Sequence, residues 1–351
     1  MVPVVDNNQN PLMPCSEKRA RKMIESRKAT PFWHLGVFCI RLNVEPSARN
    51  MQSIAIGIDP GSKKEGFTVK SKAHTFLNIQ ADAVTWVKDV VEIRRYMRRS
   101  RRFRKTPYRQ NRMNRARGGI PPSTKARWQL KLRILDQLCS VYPITDVVVE
   151  DIKAVTKKGQ QRWNVSFSPL EVGKRWFYSE IESRGLRLTL RQGYETAEIR
   201  ERLGLKKTSQ KLAKVFSAHC VDSWCLTNEI VEGHQKPDND KLLCVVPLRF
   251  HRRQLHAFQP SKGGIRRPYG STRSFGMRRG SLVRHPKYGV VYLGGSSENR
   301  VSLHSLRDGK RLCKNAKVSD LKVLKPGSFR TYTLPRGGDS TRCRRATPKG
   351  V

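Results

Sequence analysis

Acidic residues are scarce in this chain. Asp and Glu total 28 against 71 Lys and Arg in 351 residues, a formal net charge of +43. A compact monomer so unbalanced repels itself, so a polyanion is expected to neutralise it, and nucleic acid is the usual one. A basic protein that merely coats RNA, of the ribosomal type, would share this signature. Long apolar runs are also lacking. None reaches the roughly 18–20 residues that span a bilayer, so no membrane partner is expected. The N-terminus has no signal-peptide pattern. The eight cysteines (15, 39, 139, 220, 225, 244, 313 and 343) include no Cys-x-x-Cys pair, which argues against a zinc ribbon or knuckle. They read as free thiols, and the expected location is a reducing cytoplasm.

What is there suits two or three small domains. Residues 2–5 read as an apolar strand, followed by a turn and by Pro11-Leu12-Met13-Pro14. Ser16 can cap a basic helix reaching residue 28, with Ala20, Met23 and Ile24 as its apolar face. A strand at 38–42 would return beside the first. Segments 53–58, 67–70 and 75–79 predict a three-stranded antiparallel meander. A helix is expected from near Ala81, with Val84, Val87, Val90 and Val91 on its apolar side. From residue 93 to residue 135 there is no Asp or Glu. Within that stretch Arg94, Arg95, Arg98, Arg99, Arg101, Arg102, Arg104 and Lys105 surround a helix on every side. Like charges at i,i+4 destabilise a free helix, so this one is expected to lie against phosphates. A solvated charge run is the plainer alternative.

Further helices are predicted at 123–141, 169–184 and 209–231, with strands at 146–151 and 186–190. Beyond about residue 235, short β runs at 242–246, 281–285, 290–293, 301–303 and 322–324 alternate with Gly-, Arg- and Ser-rich turns. That texture suits a small β-barrel-like domain. Residues 337–351 read as a disordered basic tail.

The order β-β-β-α-β-α-β-α over residues 51–231 is that of a ribonuclease H-like α/β fold. Asp59 ends its first strand, Glu150 ends the fourth beside it, and Asp222 lies on the last long helix. These three acids are expected to converge. Phosphodiester hydrolysis needs an attacking water and a stabilised leaving oxygen, and two Mg²⁺ ions about 3.5–4 Å apart serve both. Asp59 is the expected bridging ligand, with Glu150 on one ion and Asp222 on the other; Mn²⁺ could substitute. Gly57 and Gly61 would let a nucleic-acid backbone approach Asp59. His219, three residues before Asp222, shares its helix face. It would orient or deprotonate the water or support a metal-bound phosphate; a core histidine is the plain alternative. Asp151 should point to the other side of its strand, as a structural or RNA-facing group.

These residues resemble those of IsrB, the compact RNA-guided nickases of bacterial insertion sequences, related to IscB and Cas9. Pro11-Leu12-Met13-Pro14 is similar to the motif that names their N-terminal domain. Ile56-Gly57-Ile58-Asp59-Pro60-Gly61-Ser62, Val147-Val148-Val149-Glu150-Asp151 and Ala218-His219-Cys220-Val221-Asp222-Ser223-Trp224 are similar to the three RuvC segments. Arg94 to Lys105 resembles their bridge helix. The resemblance covers essentially the whole chain. It implies a PLMP domain at 1–50, RuvC parts at 51–92 and 119–235, a bridge helix at 93–118, a target-adjacent-motif domain at 236–336 and a tail. No HNH nuclease pattern lies between Glu150 and Asp222, which implies nicking of the strand displaced by guide pairing. The implied partners are a guide ωRNA and target double-stranded DNA, bound by a monomer in a prokaryotic cytoplasm. Arg266, Arg267, Tyr269, Arg273, Arg278 and Arg279 are the candidates for reading the target-adjacent motif, with phosphate contacts as the alternative for each. Two other readings stand beside this one: a guide-independent, structure-specific nuclease of the junction-resolvase type, and a non-catalytic RNA-binding protein.

Overall fold

A computed structural model describes residues 1–103, 120–152, 168–248, 273–297, 299–327 and 329–334. The expected basic tail and the positions Arg104, Lys105, Arg266, Arg267 and Tyr269 lie outside the described residues.

The N-terminal module is a four-stranded sheet of order β2-β1-β4-β3, from β1 (Val2–Val5), β2 (Pro11–Cys15), β3 (Ala29–His34) and β4 (Val37–Leu42). The proline-containing β2 is an edge strand, where missing N–H donors cost no ladder bonds. Helix α1 (Glu17–Glu25) begins where Ser16 Oγ accepts the Arg19 N–H at 3.3 Å. Strand alternation divides the module's side chains. Val2, Val4, Ile40 and Leu42 pack with Ala20 of α1, whereas Val5 and Cys39 join the main core.

That core lies on a seven-stranded sheet of order β18-β10-β7-β6-β5-β8-β9, in which β10 is Leu242–Pro247 and β18 is Phe329–Leu334. Strands β5 (Ile54–Asp59), β6 (Lys64–Ser71) and β7 (Thr75–Asp82) form the expected antiparallel meander. Strand β8 (Asp146–Asp151) lies parallel beside β5, and β9 (Arg187–Gln192) parallel beside β8. This is the ribonuclease H-like order. Ile54, Ile56, Ile58, Val147 and Val149 face helices α3 (Pro122–Cys139) and α4 (Pro169–Glu182), packing with Leu130, Ile134, Phe177 and Ile181. On that side Lys131 Nζ donates to Glu65 Oε1 at 2.7 Å, an ion pair closed off from solvent. The alternate residues of β5 and β8 face α6 (Phe216–Val231) on the other side.

Several boundaries differ from the sequence reading. The helix expected near Ala81 is instead α2 (Val87–Phe103). Gln80 and Ala81 are still strand, because they pair with Gly66 and Glu65 on one side and Cys244 and Val245 on the other. The helix expected from Ser209 begins only at Phe216. Before it, the Lys211 and Ala213 carbonyls accept from the His219 and Gln80 side chains rather than from helical N–H groups. Helix α5 (Gly193–Arg202), unexpected from sequence, starts at a capping box made by Gln192 and Glu195.

The largest difference concerns β10 (Leu242–Pro247), expected within the C-terminal module. It lies parallel to β7 in the central sheet, and β18 (Phe329–Leu334) pairs antiparallel with it. Between these two strands comes a separate antiparallel sheet of order β16-β15-β14-β13-β17, from β13 (Leu282–His285), β14 (Gly289–Ser297), β15 (Arg300–His304), β16 (Arg311–Lys317) and β17 (Lys322–Lys325). Val283, Val291, Leu293, Val301 and Leu303 form its own core. Among the described residues the sheet is open, with β16 and β17 as edges, rather than closed into a barrel. A two-stranded hairpin, β11 (Arg273–Ser274) and β12 (Met277–Arg278), precedes it.

Candidate metal centre

Asp59 and Glu150 face α6 because each sits an even number of residues from a side chain on that face of its strand. Asp222 comes to the same point from α6. Ligand atoms of the three acids lie within 4.8 Å of one another, and no other such group of His, Cys, Asp and Glu occurs among the described residues. Asp222 is 1% exposed, Asp59 5%, and Glu150 is half-buried.

The close approach of α6 has a simple cause. A Cβ on Gly57 would lie 2.0 Å from the Ser223 carbonyl oxygen, and one on Gly66 would lie 2.5 Å from that of His219. Two adjacent strands thus lack side chains where the helix backbone crosses them. Gly61 makes a tight turn, its Cβ position 1.8 Å from the Lys64 oxygen. These contacts correct the expectation that Gly57 and Gly61 make room for nucleic acid: protein backbone fills both places.

His219 is bonded at both ring nitrogens. Nδ1 lies 2.8 Å from Asp59 Oδ2, and Nε2 lies 3.0 Å from the Lys211 carbonyl oxygen. A neutral imidazole has one donor, whereas the imidazolium donates to both oxygens. Burial opposes that charge, but the hydrogen bond and charge of Asp59, with the Lys211 carbonyl, outweigh it and raise the pKa above the usual histidine value. So placed, the ring fixes the orientation of Asp59.

Asp222 is held by two cations that the sequence reading did not single out. Arg200 Nη1 of α5 donates to Oδ1 at 2.6 Å, and Lys207 Nζ donates to Oδ2. Among 71 lysines and arginines nothing in the pattern marks these two. Glu150 forms no ion pair among the described residues. Burial, then the charge and hydrogen bond of Asp59 and the charge of Asp222, raise its pKa to about 8. A cation placed among the three acids would remove that penalty, and an all-oxygen donor set suits a hard divalent ion.

Asp151 turns the other way, as expected. It accepts from Lys174 Nζ at 2.6 Å and Tyr178 Oη at 2.8 Å, both on α4, and from Gln192 Nε2 at 3.1 Å. It therefore ties α4 to the sheet and stands apart from the acid cluster.

The basic positions lie elsewhere. Arg94, Arg95, Arg98, Arg99, Arg101 and Arg102 are on α2, where Arg95, Arg98 and Arg99 are exposed. Arg273 and Arg278 face each other across the β11–β12 hairpin, both exposed. The Arg279 guanidinium lies against Gly295, 3.2 Å from its Cβ position.

The profile of the RRXRR protein family matches residues 2–166, and Arg98-Arg99-Ser100-Arg101-Arg102 has the pattern that the name spells. No curated protein matches. Among solved structures, the chain is similar to T. thermophilus RuvC in complex with a Holliday junction substrate, at 14% identity over 50% of this chain and 90% of that one, with a TM-score of 0.27. A second Thermus thermophilus RuvC structure has the same identity and coverage and a TM-score of 0.24. No helix among the described residues is long and apolar enough to cross a membrane. Strand order and side-chain geometry carry the structural conclusion: this is a ribonuclease H-like α/β chain with, among its described residues, one acid triad able to hold a metal.

Proposed function

We propose that the chain is an RNA-guided, metal-dependent DNA endonuclease that nicks the displaced strand of a target duplex. The observation that carries this reading is the convergence of Asp59, Glu150 and Asp222 within 4.8 Å. Three carboxylates would hold divalent cations, Mg²⁺ by their donor chemistry, with Mn²⁺ able to substitute. Bound there, such ions would supply Lewis acidity toward the phosphate and an activated water. The protein's part is preorganisation. Asp59 is oriented by His219, and Asp222 by Arg200. His219 thus acts as a positioning residue for Asp59, in preference to the role of water base.

Guidance by RNA is supported by the charge and by the resemblance to IsrB drawn from the motifs. Exposed arginines on α2 present a cationic face to a phosphate backbone. Arg273, Arg278 and Arg279 remain the described candidates for target-adjacent contacts. A single acid centre among the described residues supports a single cut.

Purified protein with ωRNA, Mg²⁺ and a supercoiled target should yield nicked circles. Asp59→Ala should abolish nicking while leaving RNA binding intact, as gel mobility would read. Normal nicking by that variant overturns the metal assignment. Cleavage of four-way junctions without RNA, at the rate of the guided reaction, overturns the guided reading.

A further inference from the structure

Asp222 has only two carboxylate oxygens, and both are engaged by cations. Oδ1 accepts Arg200 Nη1, and Oδ2 accepts Lys207 Nζ. The two partners differ in freedom. Arg200 projects from α5, whose first turn is tied to β9 by the Gln192–Glu195 capping box, and its side chain is 18% exposed. Lys207 comes from the irregular stretch between α5 and α6, and its side chain is 30% exposed. A lysine ammonium on a four-carbon stem is a mobile point charge, whereas a guanidinium is a planar fork.

Charge is also distributed unevenly. Asp222 has two ion-paired cations and Asp59 has His219, but among the described residues Glu150 forms no ion pair, and only the charge of the nearby Lys207 reaches it. A divalent ion entering between Glu150 and Asp59 therefore displaces no ion-paired cation from Glu150. A second ion needs an oxygen of Asp222 and meets the ammonium already there.

We propose that Lys207 is a built-in counter-ion that competes with the second divalent cation for Asp222 Oδ2, so that the centre takes one ion readily and the other only by displacing the lysine. This rests on reading the triad as a metal centre. The ammonium and the second metal ion carry the same sign and would crowd one oxygen, whose two lone pairs lie too close together to hold both without strong repulsion, so they compete. Once displaced, the ammonium stays within reach of the cleft, where it can neutralise a DNA phosphate. Lys207 thereby couples loading of the second ion to arrival of the substrate.

The test is a Mn²⁺-binding isotherm on the chelator-stripped full chain, read from the electron paramagnetic resonance signal of free Mn²⁺. Wild type should show one tight and one weak class of site. In Lys207→Met the weak class should tighten by at least about tenfold, as loss of a unit charge a few ångströms away in a half-buried site requires. Lys207→Arg should keep the wild-type isotherm, and Lys207→Gln should behave as Met does. Circular dichroism establishes that each variant is folded. An unchanged isotherm in both neutral variants, or an equal shift in Lys207→Arg, overturns the proposal while leaving the metal centre standing. Absence of Mn²⁺ binding that Asp59→Asn removes would instead sink the metal centre itself, and this proposal with it.

Discussion

Glu150 holds negative charge at a cost in the protein without metal. Its pKa rises from an ordinary value of 4.5 to about 8, through burial and through Asp59 and Asp222. A folded-state pKa above the unfolded one means that the folded state binds the proton more tightly. Stability is then greatest below the unfolded value and is lost as pH rises from about 4.5 toward 8. The His219 shift has the same sign: its bonds to Asp59 and Lys211 favour the imidazolium, and that stability fades as pH climbs through its raised pKa. The melting temperature of the metal-free chain should therefore fall between about pH 5 and pH 8. Glu150→Gln removes one source of the fall and should raise the melting temperature by several degrees at the upper end while changing little at the lower. Mg²⁺ should lift wild type at the upper end and leave the Gln variant less affected, in a fluorescence melting series. A Gln variant that melts in parallel with wild type at every pH would refute the carboxyl assignment. Replacing His219 by Asn should remove only the histidine part of the slope, so the two contributions can be read separately.

At the scale of elements, the site depends on how closely α6 lies on β5 and β6. Gly57→Ala would put a methyl group 2.0 Å from the Ser223 carbonyl oxygen and 2.5 Å from Thr227 Oγ1. Backbone oxygen cannot swing aside as a side chain can, so the helix must shift bodily. A loss of about 3 kcal/mol in urea unfolding is expected, together with loss of tight Mn²⁺ binding, since Asp222 travels with the helix. Equal stability and equal metal binding in Gly57→Ala would mean that this helix–sheet contact is looser than described. The same packing explains what was legible in the sequence. Asp59 and Glu150 stand out because each closes an apolar strand, and Asp222 because it shares a helix face with His219. Arg200 and Lys207 were hidden, because a positive residue carries no signal in so basic a chain. The start of α6 was also hidden: residues 209–215 are helix-compatible locally, but the Lys211 and Ala213 carbonyls are taken by the side chains of His219 and Gln80. Residues 80 and 81 stay strand for an equally distant reason, their pairing with β10 as well as β6.

For the whole molecule, the decisive fact is where the chain re-enters the main sheet. Local pattern places 242–246 among the short C-terminal strands, but sequence spacing cannot show which sheet a strand joins. Leu242 pairs with Asn78 on one side and with Leu334 on the other, so the first strand after α6 and the last described strand both belong to the ribonuclease H-like core. Pro247 lies opposite Phe329. The five-stranded module, with its own core around Val283, Leu293 and Leu303, is therefore inserted at the tip of an antiparallel pair. This topology separates two truncations that the sequence alone would treat as similar. Ending the chain at residue 235 strips β7 of its outer partner β10, exposes that edge and removes Leu243 and Val245 from the main core. That product should aggregate or unfold. Replacing residues 249–327 by a short Asn-Gly-containing turn instead joins strands whose ends already face each other. It should give a chain that unfolds cooperatively and keeps Mn²⁺ binding at the acid triad, because Asp59, Glu150 and Asp222 are all supported by elements outside the insertion. Nicking of a guided duplex target should fall by at least tenfold in this variant if the inserted module holds target DNA, whereas metal binding should not. If the variant nicks like the full chain, the module has no part in target engagement. If it loses metal binding while remaining folded, the module supports the acid centre in a way the sheet topology does not show.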